Sequence, residues 1–231
     1  MRTVVTVATG PYIKGQQRLL AEVVRQDYNY KHWSGSLPGG SPAHKDVPYA
    51  FKAFAMKAAA AEQDGENTTL LWCDSCMIPI RSMEPIWEQI ESDGYFVMNN
   101  GFSNYEWTAD SAYKDLFPRL TYDCACRLNR EISHVVGGLV GLDLTKDVGQ
   151  KFLAEWYRLA SETKAFCGPW INANAACGPS DVRGHRHDQT ALSVIAWRLG
   201  CKLTDPPIMS YGRPDDPQDK RTIILADGSY V

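Results

Sequence analysis

The sequence predicts an α/β fold, and three observations carry that prediction. Short β-branched or apolar runs of strand length recur at residues 3–8, 68–73, 95–98 and 134–144. Stretches with the one-face spacing of amphipathic helices lie between them, and strands alternating with helices are the signature of a sheet covered by helices. The 231 residues are 44% hydrophobic and 22% charged, enough apolar material for one large core. The expected organisation is a single domain over residues 1–231, with a C-terminal tail from about residue 205.

Taken in order, residues 3–8 form a strand that stops at Thr9-Gly10-Pro11. Residues 15–26 carry Leu19, Leu20, Val23 and Val24 on one helical face. Residues 28–45 are rich in Gly, Ser, Pro and aromatics and read as a loop with room for a short strand. A helix is expected from Asp46, with Asp as its cap, Pro48 in its first turn and an alanine-rich body to residue 61; Gly65 falls in the loop after it. Residues 68–73 (TTLLWC) form a second strand with Asp74 directly at its end. Residues 85–92 form a short helix with Ile86, Trp87 and Ile90 inward, and a strand follows at 95–98.

Residues 99–113 are polar and aromatic. Residues 134–144 read as a strand interrupted by Gly137, Gly138 and Gly141, where a bulge or the close approach of a ligand is expected. Residues 146–163 form the clearest helix, with Val148, Phe152, Trp156 and Leu159 on one stripe. A loop spans 166–184. Residues 188–199 form a helix with Leu192, Ile195, Ala196 and Leu199 inward and Gly200 just past its end. Residues 205–219 are rich in Pro and Asp, and 222–225 read as a last strand.

Composition also sets limits on function. A formal net charge of −3, from 24 basic and 27 acidic residues, argues against a protein that coats nucleic acid electrostatically. No apolar run approaches the ~20 residues of a membrane span. The opening residues read as a strand and not as a leader. Seven cysteines, an odd number scattered along the chain, suit a reducing compartment, so a cytoplasmic protein is expected.

Three constellations carry chemistry. In the first, residues 70–80 (LLWCDSCMIPI), Asp74 sits at the carboxyl end of an apolar strand, where open α/β sheets gather their ligands. A carboxylate there can hold a hard divalent cation that also binds a diphosphate. The bland alternative is a carboxylate capping a turn. The same stretch spells Trp72-Cys73-x-x-Cys76, similar to the thioredoxin redox motif. That motif needs a long helix after it, and Pro79 and Pro85 leave room only for short helical pieces. Cys73 and Cys76 with Cys124 and Cys126 could instead supply four thiolates to zinc, although one residue between the second pair is an unusual spacing.

The second constellation is GHRHDQTALSVIAWRLG, residues 184–200. Asp188, read as the cap of the late helix, turns bare N–H groups and the positive helix end towards a cleft. His185 and His187 can contact a cation or phosphate; Asp188 and Gln189 can grip sugar hydroxyls or stabilise charge at a reacting carbon. An N-cap with two solvated histidines is the alternative. The third is residues 48–52 (PYAFK), where Lys52 can reach a phosphate and Tyr49 can stack on a base, within a helix that is otherwise core. Phe102, the aromatics up to Tyr113, and Trp170 can line an acceptor groove or fill a core.

These pieces, in this order over residues 3–203, resemble a GT-A-fold nucleotide-sugar glycosyltransferase. The TVVTVATGPY opening, the PYAFKAFAMKAA helix, LLWCDSC at the D-x-D position, VVGGLVGLDL and HRHDQTALSVIAWRLG carry the resemblance. It implies a Rossmann-type mixed sheet flanked by helices and the transfer of a sugar from a nucleoside diphosphate sugar, most often a UDP-sugar. It implies base and ribose near Thr9, Gly10 and Tyr12, with the diphosphate near Asp74 and a cation. A divalent cation, Mn²⁺ or Mg²⁺, would be held from among Asp74, Cys76, His185 and His187. Cys76 stands where the second acid of D-x-D belongs, and sulfur is a poor ligand for either ion. Asp188 and Gln189 would flank the transferred sugar, as in retaining hexosyltransferases; Asp188 acting instead as a base on the acceptor would give inversion. The acceptor is left open among a glycan, a lipid carrier, a protein side chain and a modified nucleobase. A thiol oxidoreductase using Cys73 and Cys76, and a GT-A-like domain that binds without catalysis, are the competing expectations.

Overall fold

A computed structural model describes residues 1–62 and 68–228. Its main sheet begins with β1 (Arg2–Ala8), followed by α1 (Ile13–Arg25), β2 (Asn29–Ser34) and α2 (Ala50–Glu62). Next come β3 (Thr69–Cys73), β4 (Met77–Pro79), α3 (Glu84–Asp93) and β5 (Tyr95–Ser103). The remainder is α4 (Tyr113–Leu116), α5 (Tyr122–Glu131), β6 (Ser133–Asp143), α6 (Asp147–Glu162), α7 (His187–Arg198), β7 (Met209–Tyr211) and β8 (Ile224–Ala226).

Five strands form a mixed sheet in the order β2-β1-β3-β6-β5. β1 runs parallel to both β2 and β3, whereas β6 is antiparallel to β3 and β5. Strand alternation divides the core into two layers, because successive side chains leave opposite faces of a strand. Val5, Val7, Leu70 and Trp72 face α2, α6 and α7, while Val4, Leu71 and Cys73 face α1 and α3. A second sheet, β4-β8-β7, closes the α1 side.

Several expected elements shift. The helix expected from Asp46 begins only at Ala50, because Tyr49 takes a left-handed φ of 61° that an α-helix cannot contain. Asp46 and Pro48 therefore belong to the turn before it. Gly65 lies outside the described residues. The 95–98 strand extends through Asn99 to Ser103, with register shifts along the way. The last strand moves to Ile224–Ala226, where it pairs with β4 and with β7, a strand inside the Pro- and Asp-rich tail. Gly200, at φ 68°, sits just past α7 in the left-handed region that ends helices.

Candidate active site

The site grows from the carboxyl end of β3. Trp72 is fully buried on the α2 side, and its indole Nε1–H donates to Asp74 Oδ1 at 2.8 Å. The Asp74 N–H donates to Gly138 O on β6 at 2.9 Å, so the chain turns while still paired to the neighbouring strand. Glycine is required on β6 for steric reasons. A Cβ at Gly137 would lie 2.6 Å from Gln189 Cγ and 2.8 Å from Asp188 Oδ2. One at Gly138 would lie 2.5 Å from Met77 Cε and 3.1 Å from Asp74 Oδ2. Gly137 lets the start of α7 settle directly on the sheet, and Gly138 makes room for Asp74 and Met77.

Lys52, on the first turn of α2, joins the halves. Its Nζ lies 2.9 Å from Asp74 Oδ1, 2.9 Å from Asp188 Oδ2 and 3.0 Å from Gly137 O. The Lys52 and Asp188 side chains are only 3% and 4% exposed, while Asp74 is 31% exposed. The ammonium donates a hydrogen bond to Gly137 O, and this one buried cation forms ion pairs with two carboxylates far apart in sequence. The Tyr49 and Trp72 rings flank it at 5.1 and 5.6 Å. Burial alone lowers the Lys52 pKa, but Asp188 and Asp74 outweigh it and hold the ammonium above its ordinary value. Burial pushes the Asp188 carboxyl up to about 6, with Lys52 opposing and Asp74 adding to the rise.

The expected helix cap is corrected. Arg186 occupies the cap position, and Asp188, inside the first turn of α7, spends its carboxylate on Lys52. His187, at the helix start, has φ 45°. It shares left-handed backbone with Tyr49, and their rings meet at 5.6 Å. Such backbone costs of order 1–3 kcal/mol per residue and concentrates where a site demands it. His187 Nδ1 is spent on Phe166 O at 2.8 Å. His185 is fully buried, accepts from the Ala109 N–H through Nδ1 at 3.2 Å and pairs through Nε2 with Ala165 O at 3.0 Å. Burial holds its pKa down to about 3. Both ring nitrogens are committed to backbone, so His185 braces the loop before α7 and offers nothing to a cation or phosphate.

Two cavities meet over Lys52 and Asp74. One, of about 280 Å³, is lined by Val7, Thr9, Tyr12, Tyr49 and Phe51 among others. The other, of about 150 Å³, is lined by Gly137, Gly138, Trp170, Asp188, Gln189 and Tyr211. Tyr49, Lys52, Asp74 and Cys76 border both. Of the residues expected at a nucleotide, Gly10 lines neither cavity. A larger surface hollow of about 420 Å³, bordered by Lys114 and Lys164, holds none of these groups. Tyr211 and Ala226 reach the smaller cavity from the tail, which carries no sequence signal for such a role. The stretch after Phe102 is mostly structural: Tyr105 and Tyr113 are buried in the core.

The donors gathered here do not fit a resident divalent cation. Asp74 Oδ1 is taken by Trp72 and Lys52, and His185 has no free nitrogen. Burial, helped by Asp74, pushes the Cys76 thiol up to about 12, so it is neutral at physiological pH. Among the described residues, no three His, Cys, Asp or Glu side chains converge on a metal position. That also leaves the four-cysteine zinc arrangement unformed. The redox expectation meets the same obstacle: burial raises Cys73 as well, and the turn after it leads into β4, not into a helix whose N-terminus could hold a thiolate.

No family profile and no curated protein matches the sequence. Solved structures do. The bifunctional glycosyltransferase WbbM aligns with a TM-score of 0.50 at 9% identity, covering 97% of this chain and 45% of WbbM. The chain has a GT-A-like fold. A glycosyltransferase involved in glycosylation of the major capsid of PBCV-1 aligns at TM-score 0.49 and 16% identity, over 90% of this chain and 82% of that one. Mouse xyloside xylosyltransferase 1 aligns at 0.48 and 10%, over 98% and 96%. The mixed sheet flanked by helices expected from the sequence is present in the strand order β2-β1-β3-β6-β5. No helix among the described residues is long and apolar enough to cross a membrane.

Proposed function

We propose that this chain transfers a sugar from a nucleoside diphosphate sugar to an acceptor. The observation that carries the reading is the Asp74–Lys52–Asp188 clamp at the junction of two cavities in a GT-A-like fold. The larger cavity takes the nucleoside, with Tyr12 and Tyr49 offering rings to the base and Thr9 a hydroxyl to the ribose. The diphosphate lies where the two cavities meet, beside Tyr49 and Lys52. The smaller cavity takes the sugar, with its anomeric carbon beside Asp188 and Gln189.

The clamp gives each residue a role. Lys52 keeps Asp188 ionised in a buried place, so a fixed negative charge faces the carbon on which positive charge develops as the leaving group departs. Gln189 donates through Nε2 to Val135 O at 3.2 Å, which orients its amide oxygen. A neutral amide oxygen beside the carbon and a carboxylate tied to a lysine favour retention of anomeric configuration over general-base inversion. A UDP-sugar is the proposed donor. The Mn²⁺ or Mg²⁺ ion expected from the resemblance finds no protein-only site here, and none of these steps depends on it.

The test is a thermal-shift panel of nucleoside diphosphates and their sugar conjugates, followed by product analysis by NMR. Stabilisation by at least one nucleotide, and loss of donor turnover in Asp188→Asn with the fold retained, are expected. No shift with any member of the panel would refute the proposal.

A further inference from the structure

We infer that the acceptor is a saccharide, seated on Trp170 and Tyr211 at the rim of the smaller cavity; this rests on the sugar-transfer reading above. Trp170 is 47% exposed and Tyr211 is 73% exposed, yet both line the cavity whose floor holds Asp188 and Gln189. Large aromatic rings left in water beside buried polar groups are the composition that recognises a sugar. Its C–H face packs on an aromatic ring, and its hydroxyls meet carboxylate and amide groups.

Trp170 is also held in place before any ligand arrives. The Arg186 guanidinium lies 3.8 Å from its ring centroid and 4.0 Å from that of Trp107, so arginine is sandwiched between two indoles. Arg186 Nη1 further donates to Trp170 O at 2.8 Å. A ring fixed in this way spares binding the entropy of ordering it. Tyr211 arrives from an unrelated element, the end of β7, which β8 pairs in register at Ala226. At about 150 Å³ the cavity is smaller than a drug-sized pocket and accommodates one sugar ring, the donor's. The exposed rings lie outside that ring, where the acceptor approaches. A lipid carrier would call for a continuous apolar groove, whereas Lys52, Asp74, Asp188 and Gln189 interrupt the apolar lining here.

The experiment uses the full chain, labelled and saturated with whichever nucleoside diphosphate stabilises it. It is applied to a printed oligosaccharide array, to phosphatidylcholine vesicles carrying a polyprenyl phosphate, and to a serine/threonine peptide array. Retention on a set of glycans is expected, weakened about tenfold or more in Trp170→Ala and in Tyr211→Ala. Trp170→Phe, which keeps a ring, restores most of it, and all three variants keep the nucleotide thermal shift. Nucleotide binding without glycan retention overturns the inference and leaves sugar transfer standing. So does preferential retention on vesicles or peptides, or glycan retention unchanged in both alanine variants. Absence of any nucleotide shift overturns sugar transfer itself, and the inference with it.

Discussion

Replacing Lys52 with methionine removes the one cation between Asp74 and Asp188 while nearly conserving volume. Asp74 is 31% exposed and can turn to water, but Asp188 is 4% exposed and cannot. The stranded carboxylate then takes up a proton. Protonating a carboxyl whose ordinary pKa is near 4 costs ~4 kcal/mol at pH 7 and ~1.5 kcal/mol at pH 5. The pH 7 figure falls within the ~3–5 kcal/mol measured when one partner of a buried ion pair is removed. For a chain of this size it corresponds to a fall in Tm of roughly 8–16 °C. Urea unfolding followed by tryptophan fluorescence measures the loss at both pH values. Lys52→Met is expected to be far less destabilising at pH 5 than at pH 7, and Lys52→Met/Asp188→Asn to recover most of the loss at pH 7. Equal destabilisation at the two pH values, or no recovery in the double variant, would show that Lys52 is ordinary packing.

Further expectations follow from the same geometry. Turnover of the donor sugar falls as pH drops through about 6, where the Asp188 carboxylate is lost, and a pH–rate profile measures the fall. The sign for stability is opposite, because a carboxyl raised above its unfolded value contributes below about pH 4 and loses that contribution as pH rises through about 6. Gly137→Ala would place a methyl 2.6 Å from Gln189 Cγ and 2.8 Å from Asp188 Oδ2. Turnover should fall by an order of magnitude or more, as displacement by about an ångström does at a reacting centre, and steady-state kinetics reads this. Mn²⁺ added to the protein without nucleotide should show no binding in a calorimetric titration. An insulin-reduction assay should detect no reductase activity, since both Cys73 and Cys76 are held as neutral thiols.

Local pattern determined most of the framework of this protein. Residues 3–8 and 68–73 are strands because β-branched and apolar runs of that length fit a sheet buried on both faces. The stripe of Phe152, Trp156 and Leu159 gives α6 because helical spacing puts those side chains on one buried face. Asp74 at a strand end, and Asp188 and Gln189 at the head of α7, were visible as candidate chemistry for similar reasons. Sequence marked Lys52 as a residue able to reach a phosphate, but could not say that it would bridge both carboxylates. Nor could it say that His185 would spend its ring on backbone, or that Tyr211 would arrive from a tail of prolines and aspartates. Those outcomes were decided by tertiary structure alone. A charge partner or a cavity wall comes from whichever segment the sheet order brings alongside, and β3, β6, α2 and α7 become neighbours only once the sheet has closed.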